Sequence, residues 1–90
     1  MSIAVQISVR GMVQGVAFRY HTQLKAQELG VSGLVRNEKD GTVTIIAVAT
    51  REILLTFLEW CHHGPKSAKV EELSYQYIEL SSYVGFIIER

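Results

Sequence analysis

The sequence predicts a two-layer α+β sandwich, a mostly antiparallel sheet with two helices on one face. Three observations carry this. Ile3, Val5, Ile7 and Val9 alternate with smaller or polar residues, the period-two signature of a half-buried strand. Two stretches, 17–29 and 51–63, instead repeat apolar residues at helical spacing on one side only. The remaining apolar runs are short and bounded by turn residues, so the order is β-α-β-β-α-β-β. Helices that bury one face each must share one side of the sheet, which is the ferredoxin-like arrangement. Ninety residues suit one domain over 1–90, burying roughly 60–65% of its unfolded surface without staples.

In chain order, the first strand ends near Arg10. Phe18, Thr22, Ala26 and Leu29 make one stripe of the first helix, and Tyr20 with Leu24 would widen its buried face. Gly30 is placed to cap it in the left-handed conformation. "GLVRN" is a short second strand, Asp40-Gly41 supplies the hairpin turn, and "TVTIIAVA" is a central third strand. Thr50 caps the second helix, which turns Leu54, Phe57, Leu58 and Cys61 inward. Gly64-Pro65 stops it, and "KVEELSYQYIEL" and "GFIIER" close the sheet.

Composition narrows the function classes. Net charge is zero, with no cluster of Lys or Arg, which argues against a sequence-blind nucleic-acid binder. A single cysteine allows no internal disulfide and favours a cytoplasmic setting. Neither a signal core nor a stretch of membrane-spanning length is present.

The topology then brings three features together. A right-handed crossover through the first helix makes strands one and two parallel, so both end at the same sheet edge. With strand three between them, Asn37 at the end of strand two lies about 10 Å from the loop after strand one. That loop, folding on Gly11 and Gly15, can turn amides inward beside a helix N-terminus, forming an anion nest. Arg19, on the first helical turn, adds a planar fork able to grip two phosphate oxygens. The arrangement suits a phosphoryl group, although the same glycines would also serve a plain strand-to-helix connection. A Walker loop and a G-x-G-x-x-G fingerprint are both absent.

"VRGMVQGVAFRYHT", "LGVSGLVRNEKDGTV" and "FLEWCHHGPKSAKV" together resemble the acylphosphatase family over nearly the whole chain. The resemblance implies hydrolysis of acyl phosphates to a carboxylate and inorganic phosphate without a metal or other cofactor. It places the essential arginine on Arg19 and the water-positioning asparagine on Asn37. The phosphate-cradling amides fall on Met12, Val13, Gln14, Gly15 and Val16. The chain departs from the family pattern at Val48-Ala49, where Glu-Gly is usual, and in its "FIIER" ending. The expected protein is a stand-alone monomer whose partners are small acyl phosphates and phosphate. The alternative is an inactive or regulatory module on the same fold.

Other polar and aromatic residues carry blander readings. His62 and His63 suit a helix C-terminus, and their side chains diverge by about 100°. Cys61 is a small core residue, and Thr22 back-bonds to a helix carbonyl. His21 neighbours the site. Trp60, Tyr75, Tyr77 and Tyr83 read as packing.

Overall fold

A computed structural model describes residues 1–90 as five strands and two helices: β1 (Ile3–Met12), α1 (Phe18–Leu29), β2 (Ser32–Asn37), β3 (Val43–Ala49), α2 (Arg51–His63), β4 (Lys69–Ile78) and β5 (Phe86–Glu89). The sheet order is β4-β1-β3-β2-β5. β3 is central, as its β-branched content predicts, and every one of its residues is buried. β1 and β2 both run antiparallel to β3, and β4 is antiparallel to β1. Only β5 is parallel to its neighbour, β2.

Residues of one pleat face make the core. Val5, Ile7, Val9, Val35, Val43, Ile45, Ala47 and Phe86 meet Phe18 and Ala26 of α1 and Leu54, Phe57, Leu58 and Cys61 of α2. Phe57 stacks toward Trp60 and meets Phe86 edge-on, at centroid separations of 6.5 and 6.1 Å. Burial pushes the Cys61 thiol far above its ordinary pKa, because a thiolate there would be desolvated without a partner.

Two helix-face assignments differ from the sequence reading. Tyr20 and Leu24 do not widen the buried face of α1; they are 54% and 44% exposed. Each sits two residues past a stripe residue, a rotation of about 200°, so their i, i+4 spacing aligns them with each other and away from Phe18 and Thr22. Thr22 is fully buried and donates its hydroxyl to the Phe18 carbonyl at 2.7 Å. Tyr75 and Tyr77 lie edge-to-face on edge strand β4, yet each remains about half exposed, so neither is a core residue.

The register fixes where the site lies. Val9 pairs with Val43, and Val43 pairs with Asn37, forming one row across three strands. The ends of β1 and β2 therefore share an edge, two inter-strand spacings or about 10 Å apart.

Candidate active site

The connection from β1 to α1 is built in two parts. Gly11 belongs to the strand and not to the loop that the sequence suggested. It sits at a bulge where the β1–β4 register shifts. Any Cβ at Gly11 would collide with the Lys69 carbonyl, so the glycine serves close backbone approach. Met12 likewise ends β1, paired with Lys69. The loop proper is Val13–Ala17. Gly15 turns it at φ 72°, and Ala17 follows at φ 60°, unusual for a residue with a side chain. Nothing would meet a Cβ at Gly15, so that glycine is there for its backbone conformation alone.

None of the five amides from Val13 to Ala17 has an acceptor within the chain. The first backbone bond after them is His21 N–H to the Ala17 carbonyl at 3.1 Å. The two helix starts differ in a telling way. At α2, Thr50 accepts from the Ile53 amide and closes the N-terminus. At α1 the N-cap is Ala17, which has no side-chain oxygen, so the first-turn amides remain open toward the loop.

Two long-range side-chain bonds hold this loop. Gln14 donates Nε2 to the main-chain carbonyls of Glu38 and Thr42, both at 2.8 Å. It thereby ties the loop to the β2–β3 hairpin directly after Asn37. On the other flank, Ser67 donates Oγ to the Val16 carbonyl at 2.6 Å. The hairpin is itself braced. Arg36 pairs through Nε with Glu38 at 2.9 Å and through Nη1 with Glu89 at 3.4 Å. Hydrogen bonds from Thr44 and Arg36 hold the Glu38 carboxyl below its ordinary range, and the hydroxyl and amide of Thr42 do the same for Asp40.

Arg19 is half-buried and makes no ion pair. It lines a cleft of about 260 Å³ together with Val13, Gly15, Tyr20, Ile88 and Arg90. Asn37 is exposed at the end of β2, outside that lining, and its side chain has no hydrogen-bond partner in the chain. The structure thus groups Arg19 with the loop directly, whereas Asn37 is linked to them through the Gln14 bonds to its hairpin. His21 contacts Tyr20 edge-on and does not line the cleft. No three His, Cys, Asp or Glu side chains are grouped as a metal would require.

Sequence reasoning missed the side chains of Gln14, Ser67, Tyr20 and Arg90. Ser67 is 51 residues from its acceptor and carries no local signal. Arg90 had one, since it continues the alternation of Phe86 and Ile88.

Comparison with known proteins agrees with this architecture. The acylphosphatase family model matches residues 5–88. A curated acylphosphatase of Trichormus variabilis is 41% identical over 88 residues, which span 98% of this chain and 87% of that protein. One from Mannheimia succiniciproducens is 46% identical over 80 residues, covering 89% and 83%. The crystal structure of acylphosphatase from Bacillus subtilis superposes with a TM-score of 0.94 at 34% identity, with both chains fully covered. With its family model matched from the third residue of β1 to the third residue of β5, the chain belongs to the acylphosphatase family.

Proposed function

We propose that this protein hydrolyses acyl phosphates to a carboxylate and inorganic phosphate, with no metal, through Arg19, the loop amides and Asn37. One observation carries the reading: five consecutive unpartnered amides, Val13 to Ala17, stand beside an arginine that has no acidic partner. Such a cradle is complementary to a phosphoryl group, whose charge is shared over three equatorial oxygens.

The reaction needs little else. The leaving group is a carboxylate whose conjugate acid has a pKa near 4, so it departs without a general acid. Phosphoryl transfer passes through a loose transition state, in which positioning and charge stabilisation dominate. Arg19 supplies a bidentate fork and the amides supply fixed dipoles. Asn37 accepts a hydrogen bond from the attacking water through its amide oxygen and so orients it. Asn37 cannot ionise, and the water's proton goes to the phosphate itself.

The test is hydrolysis of acetyl phosphate in excess chelator, with a phosphate monoester as control. Turnover of the acyl phosphate alone is expected. Arg19→Lys should lose at least about 100-fold in kcat, because a point charge cannot reproduce the fork. Near-normal turnover by Arg19→Lys, or activity that chelation abolishes and added metal restores, would overturn the mechanism.

A further inference from the structure

Asn37 leaves the end of β2 with an exposed side chain that no hydrogen bond within the chain holds. Its direction is therefore set by the backbone, and the residues on either side fix that backbone. Asn37 pairs with Val43, which is buried in the core, so its side chain starts on the face that carries the helices. Arg36 pairs with Thr44 and lies on the opposite face. There it reaches past Asn37 to the Glu38 carboxylate, with Nε at 2.9 Å, and across to Glu89 of β5 through Nη1 at 3.4 Å. Glu89 is also its register partner in the parallel pairing. Thr44 of β3, itself buried, bonds the same Glu38 carboxylate. The main chain of Glu38 is held as well. Its N–H donates to the Thr42 carbonyl at 2.8 Å, and its carbonyl accepts from Gly41 at 3.2 Å.

We propose that Arg36 is a positioning residue for Asn37, its pairs with Glu38 and Glu89 fixing the angle at which the asparagine leaves β2. The proposal rests on the hydrolase reading above, in which Asn37 orients the attacking water. Joining the side chains at 36 and 38 restrains the two peptide units that flank the Asn37 Cα. Rotation about either backbone dihedral of Asn37 would have to part that pair or pull Glu38 away from Thr44. The ion pairs lie on the face of the sheet away from the helices, so the Asn37 amide oxygen stays free to accept from a water. Partly exposed ion pairs add little to folding. A group that orients a reactant is sensitive to displacements of about 1 Å, so the same brace matters more to turnover than to melting.

A double-mutant cycle on acetyl phosphate hydrolysis tests this. Arg36→Met keeps the apolar stem and removes the fork, with folding checked by circular dichroism. It should lose about three- to tenfold in kcat, within the range of two partly exposed ion pairs. KM and competitive inhibition by phosphate should stay within about twofold of wild type, because the Glu38 carbonyl that holds Gln14 keeps its main-chain bond. Arg36→Lys should recover part of the loss, and Glu89→Gln should lose less than Arg36→Met, since it breaks one pair of the two. In an Asn37→Ala background, Arg36→Met should cost less than about 1.5-fold in kcat, because the residue it positions is gone. Equal losses in both backgrounds, or a matching loss in phosphate inhibition, would make Arg36 a general brace of the hairpin and overturn the proposal. So would an unchanged kcat in Arg36→Met. Normal turnover by Asn37→Ala would remove the water-orienting role, and the proposal with it. A wild type inactive on acetyl phosphate would instead overturn the hydrolase reading on which the proposal stands.

Discussion

Removing the Gln14 side chain isolates how much of the site depends on the shape of its loop. The amide spans from the 13–17 loop to two carbonyls of the β2–β3 hairpin, each at 2.8 Å and partly buried. A typical intramolecular hydrogen bond is worth about 0.5–1.5 kcal/mol net, so the pair ranges over about 1–3 kcal/mol. The lower half applies, because neither carbonyl is orphaned by truncation. Glu38 O still accepts from Gly41 N, and Thr42 O from Glu38 N. At about 1.4 kcal/mol per tenfold, Gln14→Ala should weaken competitive inhibition by phosphate about 5- to 30-fold. The melting temperature should fall by roughly 4–8 °C for each kcal/mol that also contributes to folding. Gln14→Glu keeps the length but cannot donate, and it brings negative charge to an anion site, so its loss should be the larger. The assays are inhibition of acetyl phosphate hydrolysis by phosphate, with thermal unfolding followed by circular dichroism. If Gln14→Ala shifted the phosphate inhibition constant by less than twofold, the loop would hold its shape without the tether. The pinning argument would then be refuted.

Three further outcomes follow from the same geometry. Asn37→Ala should lose at least about 100-fold in kcat and still bind phosphate, because its proposed partner is the water and not the anion; normal turnover in steady-state kinetics would leave Asn37 as hairpin structure only. Cys61 should resist thiol reagents in the folded protein, its labelling rate tracking unfolding, since burial disfavours the thiolate; rapid labelling under native conditions would contradict the packing around α2. Asp40 has its native pKa lowered by Thr42, so its contribution is complete above the unfolded carboxylate range, near pH 4, and is lost as pH falls through the lowered native value. Asp40→Asn should accordingly melt below wild type at pH 7, with the gap narrowing as pH falls through the lowered native value, as thermal scans over a pH series would read.

The elements were legible where one periodicity held over enough residues. β1 alternates for seven residues, and the inward face of α2 repeats Leu54, Phe57, Leu58 and Cys61, all buried. Reading failed where spacing alone had to stand for direction. Tyr20 and Leu24 obey the i, i+4 rule yet point away from the core, because that rule relates two residues to each other and not to the sheet. Gly11 and Gly15 look alike in the sequence, but one admits a neighbouring carbonyl and the other sets a backbone angle. The parallel pairing of β5 with β2 could not be read, since no hairpin joins them and the residues from 79 to 85 set no register. For the candidate site, Arg19 and the loop were legible because both lie in one continuous stretch. Ser67 was not, because its only role is to meet a carbonyl that the fold brings to it.

A site made chiefly of main-chain amides must get its accuracy from backbone conformation, and here that conformation is unfavourable in itself. Ala17 occupies the left-handed region, where a residue with a Cβ costs about 1–2 kcal/mol relative to ordinary helical geometry. It also gives α1 no side-chain cap, forgoing about 1 kcal/mol that a Ser or Thr would contribute. The Gln14 and Ser67 bonds, three neutral hydrogen bonds at about 0.5–1.5 kcal/mol each, are of the size needed to offset both costs. Gln14 ties the loop to the β2–β3 hairpin, and Ser67 ties it to the chain between α2 and β4, so the strained turn is fixed from two independent parts of the fold. The tether through Gln14 therefore makes the open loop depend on the hairpin that carries Asn37. In the proposed mechanism, anion cradle and water-orienting strand end are mechanically one unit, joined through the side chain of Gln14.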